Sequence, residues 1–251
     1  MADELNEIWK VELGIFREFL RVCGKHNLDY MMFGGSLLGT MRHRGFIPWD
    51  DDIDVIMPRA DYDRLMEVGP EEFAEPYFFQ NPVTEDGRYF CTHCQIRDSR
   101  TTALIAEDAV REINRGIFID IFVLDRLPAW LERPHYLMWE VIKKYLTVFN
   151  IRRDRWFREW NRHERMYRHF GHAAYVQAID YNRRRLYADP SVWEGRETAM
   201  FCGIPVQVPA RYDSLLTTWY GAWREPKDRG TVHGKVIFRT DMSYKDYLKQ
   251  G

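Results

Sequence analysis

Two aspartates with one residue between them are the first feature of this sequence whose type and spacing could do chemistry. Asp52 and Asp54 lead into the apolar residues Val55 and Ile56. In an extended strand, alternation places both carboxylates on one face and Ile53 on the other. Two carboxylates that point the same way repel each other unless a cation neutralises them, and hard oxygen ligands suit Mg²⁺ or Mn²⁺. The pair therefore predicts a clamp for a divalent metal ion.

A glycine turn precedes this pair. Gly34, Gly35 and Ser36 follow an apolar run that ends at Phe33, and a segment able to form a helix comes after them. At the start of a helix the backbone N–H groups are unpaired and the helix dipole favours an anion, so this turn could hold a phosphate. Taken singly, the glycines could form a plain turn and the aspartates a solvated strand end. Together they predict a phosphate cradle beside a metal clamp, which is the chemistry of moving a phosphorus group.

A third carboxylate interrupts the strongest buried-strand signal in the chain. Asp120 lies within the apolar run Ile117–Leu124, and a charge in such a run needs a partner because burying it alone is prohibitive. A glycine–serine turn, an Asp-x-Asp strand and a third acidic strand together resemble the nucleotidyltransferase fold. On that pattern Asp52, Asp54 and Asp120 hold one or two ions of Mg²⁺ or Mn²⁺. Two ions roughly 3.5–4 Å apart would stabilise both the attacking and the leaving oxygen.

The elements that must position these residues follow from hydrophobic periodicity and from turn residues. Helical spacing covers Leu5–His26, Ser36–Arg42, a stretch from Pro58 to about Val68 that Gly69 and Pro70 end, Pro134 to about Phe170, His172–Tyr187 and Tyr212–Trp219. Strand patterns cover Asp29–Phe33, Asp52–Met57, a broken pair within Tyr77–Ile105, Ile117–Leu124, and a hairpin formed by Trp193–Phe201 and Pro205–Val208 around Gly203.

These patterns predict an α/β (α+β) protein. We expect a small mixed β-sheet of the nucleotidyltransferase type with flanking helices and a helical C-terminal portion. A single domain would span residues 1–251, with the catalytic core at 1–128. The mostly helical portion at 129–251 would carry the short hairpin and a candidate acceptor-binding region.

Composition narrows the partners and the compartment. The chain has 251 residues and a net charge of −2, so no strong overall field draws it to nucleic acid. No apolar run reaches the length of a membrane span, and the acidic start of the chain is unlike a signal peptide. Four cysteines are too few for a disulfide scaffold in a chain of this length. We therefore expect no transmembrane segment, no nucleic-acid partner and a cytoplasmic location, with association at the inner membrane surface left open.

The stretch from Gly34 to Asp54, read as a whole, closely resembles the signature of the LicD family, which includes bacterial phosphocholine transferases and is related to fukutin-type ribitol-phosphate transferases. The resemblance continues at Pro58-Arg59-x-x-Tyr62, at Arg97-Asp98-x-x-Thr101-Thr102, at Gly116–Asp125 and at Val208–Gly221. It implies transfer of phosphocholine, or a similar substituted phosphate, from a CDP-linked donor such as CDP-choline. The acceptor would be a hydroxyl of a cell-surface glycan such as lipopolysaccharide or teichoic acid, and it could be lipid-linked.

The resemblance also implies roles for individual residues. Asp52 and Asp54 would be metal ligands, and Asp120 a third ligand or the base that takes the acceptor's proton. The donor phosphates would lie against the turn and two nearby arginines, and these substrate-binding candidates are Gly34, Gly35, Ser36, Arg42 and Arg44. Guanidinium suits a diphosphate, although Arg42 and Arg44 could instead pair with Asp50 or Asp51.

Four alternatives concern other functions and other sites. A nucleotidyltransferase would transfer a nucleoside monophosphate to a sugar or a small molecule, and a non-catalytic module would only bind a glycan or a nucleotide. Cys91 and Cys94 with His93 invite a zinc site, but a structural site needs four ligands and the two cysteines would face opposite sides of a strand. The basic and aromatic stretch Arg152–Arg168 could contact an anionic acceptor or simply form a solvated face.

Overall fold

The computed structural model describes residues 2–89, 93–105, 112–148, 176–178, 190–226 and 236–250, together with residues 158, 162, 165 and 169. The helices are α1 Ala2–His26, α2 Gly34–His43, α3 Arg59–Glu72, α4 Ala129–Val148, α5 Tyr212–Tyr220 and α6 Tyr244–Leu248. The strands are β1 Met31–Met32, β2 Asp54–Pro58, β3 Tyr77–Gln80, β4 Cys94–Asp98, β5 Thr102–Ile105, β6 Ile117–Arg126, β7 Val176–Ala178, β8 Arg196–Phe201, β9 Ile204–Pro209 and β10 Val236–Arg239.

The main sheet is mixed, as predicted. Its strand order is β1-β2-β6-β4-β3, and β7 pairs with the end of β6. β2 and β6 are parallel, whereas the other pairs of this sheet are antiparallel. Two further ribbons form, β5 with β10 and β8 with β9. The predicted fold class is confirmed.

β6 is the central strand because it is apolar along nearly its whole length. Ile117, Ile119 and Ile121 are fully buried, and β6 pairs with β2 on one side and with β4 on the other. α1 covers this sheet with the apolar stripe that its spacing predicts, burying Ile15 and Phe16 completely. The core therefore lies between α1 and the centre of the sheet.

An ion pair fastens α3 to the far end of β6. Nε and Nη2 of Arg59 donate to Oδ1 and Oδ2 of Asp125, each at 2.5 Å, and Asp125 is fully buried. Burial raises the pKa of Asp125 above its usual value, and the hydrogen bond and the charge of Arg59 offset only part of that rise. The paired geometry lets a charged group lie inside the sheet layer.

Several predicted boundaries were wrong. β1 is shorter than predicted, and β2 begins at Asp54 rather than at Asp52. α3 does not end at Gly69, because the N–H of Phe73 still donates to the Gly69 carbonyl at 3.0 Å and the turn continues past Pro70. α4 begins at Ala129, so Pro134 lies inside it just past the first turn, where its missing N–H costs one helical bond.

The second half of the chain was predicted less well. Where a helix was predicted over His172–Tyr187, Val176–Ala178 forms β7 instead, because the end of β6 offers it a pairing edge. The hairpin around Gly203 is confirmed as β8 and β9, and the helix that follows it as α5. Beyond Val148, most of the predicted helix lies outside the described residues, although Arg158, Arg162 and Arg165 are helical and exposed.

The apolar stripe predicted for α4 is exposed where its side chains are described. Leu137, Val141 and Val148 each expose more than half of their surface. None of the helices in the described ranges is long and apolar enough to cross a bilayer. The division at residue 128 stays a prediction.

Candidate active site

The pairing of two parallel strands brings the three predicted aspartates together. Asp54 opens β2 and is the register partner of Asp120 in β6, while Asp52 lies two residues before β2. Each of the three offers a carboxylate oxygen, and these oxygens lie within 4.8 Å of one another. Asp52 is 7 % and Asp120 9 % exposed. Buried oxygens at this separation could share one metal ion.

The glycine turn lies directly against this group of carboxylates. Gly34 has a φ of +52°, which favours glycine, and it begins α2. A Cβ atom on Gly34 would lie 2.6 Å from Oδ2 of Asp54, and one on Gly35 would lie 2.5 Å from Oδ2 of Asp50. The two glycines therefore leave room for carboxylates at the start of α2. An anion bound to this helix start would lie beside any metal that the carboxylates hold.

Ser36 uses its hydroxyl to position the acidic loop. Its Oγ accepts a hydrogen bond from the N–H of Asp54 at 2.8 Å and donates to the carbonyl of Asp52 at 3.4 Å. Ser36 is 3 % exposed, so water competes little for these bonds. The first turn of α2 is thereby tied to the chain on both sides of Ile53, which fixes the two neighbouring aspartates.

Two residues that the sequence analysis did not connect with Asp120 hold its carboxylate. Nε2 of Gln95 donates to Oδ1 of Asp120 at 2.6 Å, and Nε2 of His93 lies 3.0 Å from the same oxygen. Gln95 is itself held, since Nη2 of Arg97 donates to its Oε1 at 2.6 Å. Burial raises the pKa of Asp120, but the charge and hydrogen bond of His93, the hydrogen bond of Gln95 and the charge of Arg97 outweigh it, and the pKa is lowered. Asp120 is therefore an anion at neutral pH.

A signal for these partners was present in the sequence. Alternation predicts that His93 and Gln95 share one strand face. What the alternation does not give is the register, which places Gln95 opposite Asp120. The zinc alternative for His93 gains no support, because Cys94 is buried with its Sγ directed at the Ile121 carbonyl and Cys91 lies outside the described residues.

The two predicted arginines lie at the other end of α2. Nη1 of Arg42 donates to the carbonyl of Trp223 at 2.9 Å, and burial lowers the pKa of this arginine. Arg44 is exposed, has a φ of 56° and caps α2, and its carbonyl accepts from the N–H of Cys202 at 2.8 Å. Arg42 thus connects α2 to the segment after α5, and Arg44 connects it to the β8–β9 turn. Their predicted contact with a diphosphate stays a prediction.

Comparison with known proteins supports the resemblance seen in the sequence. Residues 27–211 match the family described as LicD/FKTN/FKRP, nucleotidyltransferase domain. The chain belongs to this family. That range contains the glycine turn, all three aspartates, and both partners of Asp120.

Among curated proteins, the chain is similar to the lipopolysaccharide cholinephosphotransferase LicD of Haemophilus influenzae, with 33% identity over 157 residues, 61% of this chain and 56% of that protein. It is also similar to the uncharacterized protein RP689 of Rickettsia prowazekii, with 30% identity over 121 residues, 48% of this chain and 41% of that protein. The chain thus spans about half the length of these relatives or less.

Proposed function

We propose that this protein is a transferase that moves phosphocholine, or a similar substituted phosphate, from a CDP-linked donor to a hydroxyl of a cell-surface glycan. The observation that carries the proposal is the convergence of Asp52, Asp54 and Asp120 beside a glycine turn, within a LicD-family domain. The similarity to a protein named lipopolysaccharide cholinephosphotransferase supports choline as the headgroup and lipopolysaccharide as the type of acceptor.

The three aspartates fit a divalent ion of the hard type. They supply only oxygen ligands, these are largely buried, and the lowered pKa of Asp120 keeps that carboxylate charged. Mg²⁺ or Mn²⁺ bound there would neutralise charge on the transferred phosphate and on the leaving nucleotide. Phosphoryl-type transfer needs placement and charge neutralisation more than covalent help from the protein.

The protein's own groups would then bind and orient the two substrates. The first N–H groups of α2 would donate to donor phosphate, with Gly34 and Gly35 allowing close approach. Ser36 would keep the loop of Asp52 and Asp54 in register with β6. Asp120 would serve as a ligand or accept the acceptor's proton, and His93 would hold its Oδ1 in place. Arg42 and Arg44 remain the candidates for the diphosphate.

The direct test is turnover of CDP-choline with a lipopolysaccharide acceptor and Mg²⁺. Asp52→Asn and Asp54→Asn should each abolish release of CMP while circular dichroism stays unchanged. Asp86→Asn, at an exposed aspartate in the turn after β3, is the matched control and should retain activity. Full activity in Asp52→Asn or Asp54→Asn would refute the ligand roles. Parallel assays with CDP-ribitol and CDP-glycerol identify the headgroup.

The two alternatives from the sequence predict different products. A nucleotidyltransferase would release pyrophosphate from a nucleoside triphosphate and leave CDP-choline intact. A non-catalytic module would bind a nucleotide or a glycan without turnover of either. A cytoplasmic location, with the acceptor presented at the inner membrane surface, is part of the same proposal and is tested by fractionating cells that express the protein.

A further inference from the structure

The helix α4 carries an apolar stripe that faces solvent. Trp130 is 74 %, Leu137 57 % and Val141 68 % exposed, and Tyr145 and Val148 are also exposed and continue the stripe. These residues are separated by three, four or seven positions, so they lie on one face of the helix along nearly its whole length. Single exposed apolar residues are ordinary, whereas a continuous exposed patch marks a surface that binds something.

The charged residues of α4 are incompatible with a helix that crosses a bilayer. The helix is 20 residues long, and its sequence includes five charged residues: Glu132, Arg133, Glu140, Lys143 and Lys144. Charges in the bilayer core are costly, whereas a helix that lies in the plane of the interface keeps its polar side in contact with water. The composition of α4 is therefore that of a helix at a boundary between an apolar and a polar phase.

Basic residues accompany the stripe and favour an anionic surface. Lys144 is exposed on α4, and Arg158, Arg162 and Arg165 are helical and exposed beyond its end. The sequence from Arg152 to Arg168 contains seven arginines and three acidic residues, in a chain whose net charge is −2. Anionic lipid attracts such a stretch, whereas a second copy of the chain would bring two like-charged stretches into one assembly. The local positive charge therefore favours a lipid surface over self-association.

We propose that α4 is an interfacial helix that docks this protein on an anionic membrane surface, with its apolar stripe among the acyl chains and its basic neighbours at the headgroups. Trp130 and Tyr145 fit this placement, because Trp and Tyr are enriched where a membrane meets water. For a lipid-linked acceptor, docking would raise the local concentration of the protein at the surface that presents it. The proposal stands on α4 and its basic neighbours and does not depend on which group the protein transfers.

The test is binding of the full chain to large unilamellar vesicles, measured by co-sedimentation without donor or acceptor. The wild-type chain should bind vesicles of equal parts phosphatidylcholine and phosphatidylglycerol roughly tenfold more tightly than vesicles of phosphatidylcholine alone. Leu137→Gln combined with Val141→Gln should weaken binding to the mixed vesicles by roughly tenfold or more, because two side chains of the stripe no longer gain from burial in lipid. Lys144→Glu combined with Arg165→Glu should remove most of the preference for the mixed vesicles, because it reverses two of the charges that attract anionic lipid.

Val83→Gln is the matched control, because Val83 is 57 % exposed, as Leu137 is, but lies in the turn after β3. It should bind both kinds of vesicle as the wild type does, and circular dichroism should be the same for all variants. Failure of the wild-type chain to bind either kind of vesicle would overturn the proposal, as would wild-type binding by the Leu137→Gln and Val141→Gln variant.

Analytical ultracentrifugation tests the other occupant of the stripe, a second copy of the chain. Conversion of a dimer into a monomer by Leu137→Gln and Val141→Gln, with vesicle binding unchanged, would overturn the membrane proposal and make the stripe an interface between copies. A monomeric wild-type chain whose vesicle binding depends on the stripe supports the membrane surface. Since no substrate is present in these measurements, a failure of the CDP-choline assay would leave their result standing.

Discussion

At the scale of single residues, the charge of Asp120 depends on two neighbouring side chains that the acidic motifs of the sequence do not predict. His93 and Gln95 both contact Oδ1, so that among the described residues Oδ2 has no side-chain donor, and the two contacts orient the carboxylate. Hydrogen bonds to a ligating carboxylate orient it and tune its affinity for the metal.

We expect His93→Ala to weaken Mn²⁺ binding at the triad by about 10–100-fold. His93 lowers the pKa of Asp120, so its removal raises that pKa, and binding should be lost at a higher pH on acidification. Calorimetric titrations at several pH values between 5 and 8 check both effects. His26→Ala, at the C-terminal end of α1, is the control and should match the wild type. An unchanged affinity and pH profile in His93→Ala would contradict the positioning role.

The sequence could predict the acidic residues but not their supporting partners. Asp52, Asp54 and Asp120 stand out because charged residues beside or inside apolar runs are rare, and a buried charge is costly unless it is paired or binds a metal ion. The role of Ser36 in holding the loop, and that of Gln95 in holding Asp120, depend on contacts between segments far apart in the chain. Such contacts follow from strand register, which the alternation of side chains alone does not determine.

At the scale of elements, long periodic segments were predictable and their ends were not. α1 and β6 have enough apolar positions for the pattern to decide between helix and strand. The ends depend on what the element meets: α3 continues past Pro70, and β7 forms because β6 extends to Arg126. Packing outweighs the local helix breakers in α3, and strand pairing outweighs the local helical pattern at β7.

The ion pair between α3 and β6 gives a prediction at this scale. Arg59→Met leaves the fully buried Asp125 without its cation and should lower the free energy of unfolding by about 3–5 kcal/mol. Because the folded-state pKa of Asp125 rises without Arg59, its charge opposes folding only above its unfolded pKa, so this loss should shrink as the pH falls. Urea unfolding monitored by circular dichroism measures it.

The combination of Arg59→Met with Asp125→Leu should be more stable than Arg59→Met alone, since no unpaired charge is then buried. Arg64→Met, at an exposed arginine of α3, is the control and should change stability little. A double variant as unstable as Arg59→Met would show that packing, rather than the unpaired charge, causes the loss.

At the scale of the whole molecule, the fold concentrates negative charge although its net charge is only −2. The loop aspartates lie beside Asp54 and Asp120 of the two parallel strands, and the charges of Asp50, Asp51, Asp52 and Asp54 act on the buried Glu12 of α1. The composition correctly predicted a weak overall electrostatic field. It could not show the local negative field, because the charges that produce it come from α1, a loop and β6. The carboxylates of this group therefore repel one another, and a bound divalent ion would reduce that repulsion.

We expect Mn²⁺ at about 100 times its dissociation constant to stabilise the protein by about 2.7 kcal/mol per site, which raises the Tm by roughly 5–10 °C for a chain of this size. Asp52→Asn, which removes one of the three predicted ligands, should lose most of this shift. In EDTA, the raised pKa of Glu12 means that its charging opposes folding. The stability gained by Glu12→Gln should therefore be absent below about pH 4.3 and grow as the pH rises. Differential scanning fluorimetry from pH 4 to 8 measures both the Mn²⁺ effect and the effect of Glu12→Gln. A Tm that does not change when Mn²⁺ is added would refute the expected stabilisation.

The pairing of Asp54 with Asp120 has a consequence for folding. These residues are partners across two parallel strands that are 66 positions apart in sequence at this point, and a slip by one residue would turn one of the carboxylates to the opposite face. A metal ion that needs both carboxylates can bind only the correctly registered sheet. The ion would then stabilise the correct strand register relative to shifted alignments, in addition to its part in the reaction. The register that it stabilises is also the one in which the carboxylates can support catalysis.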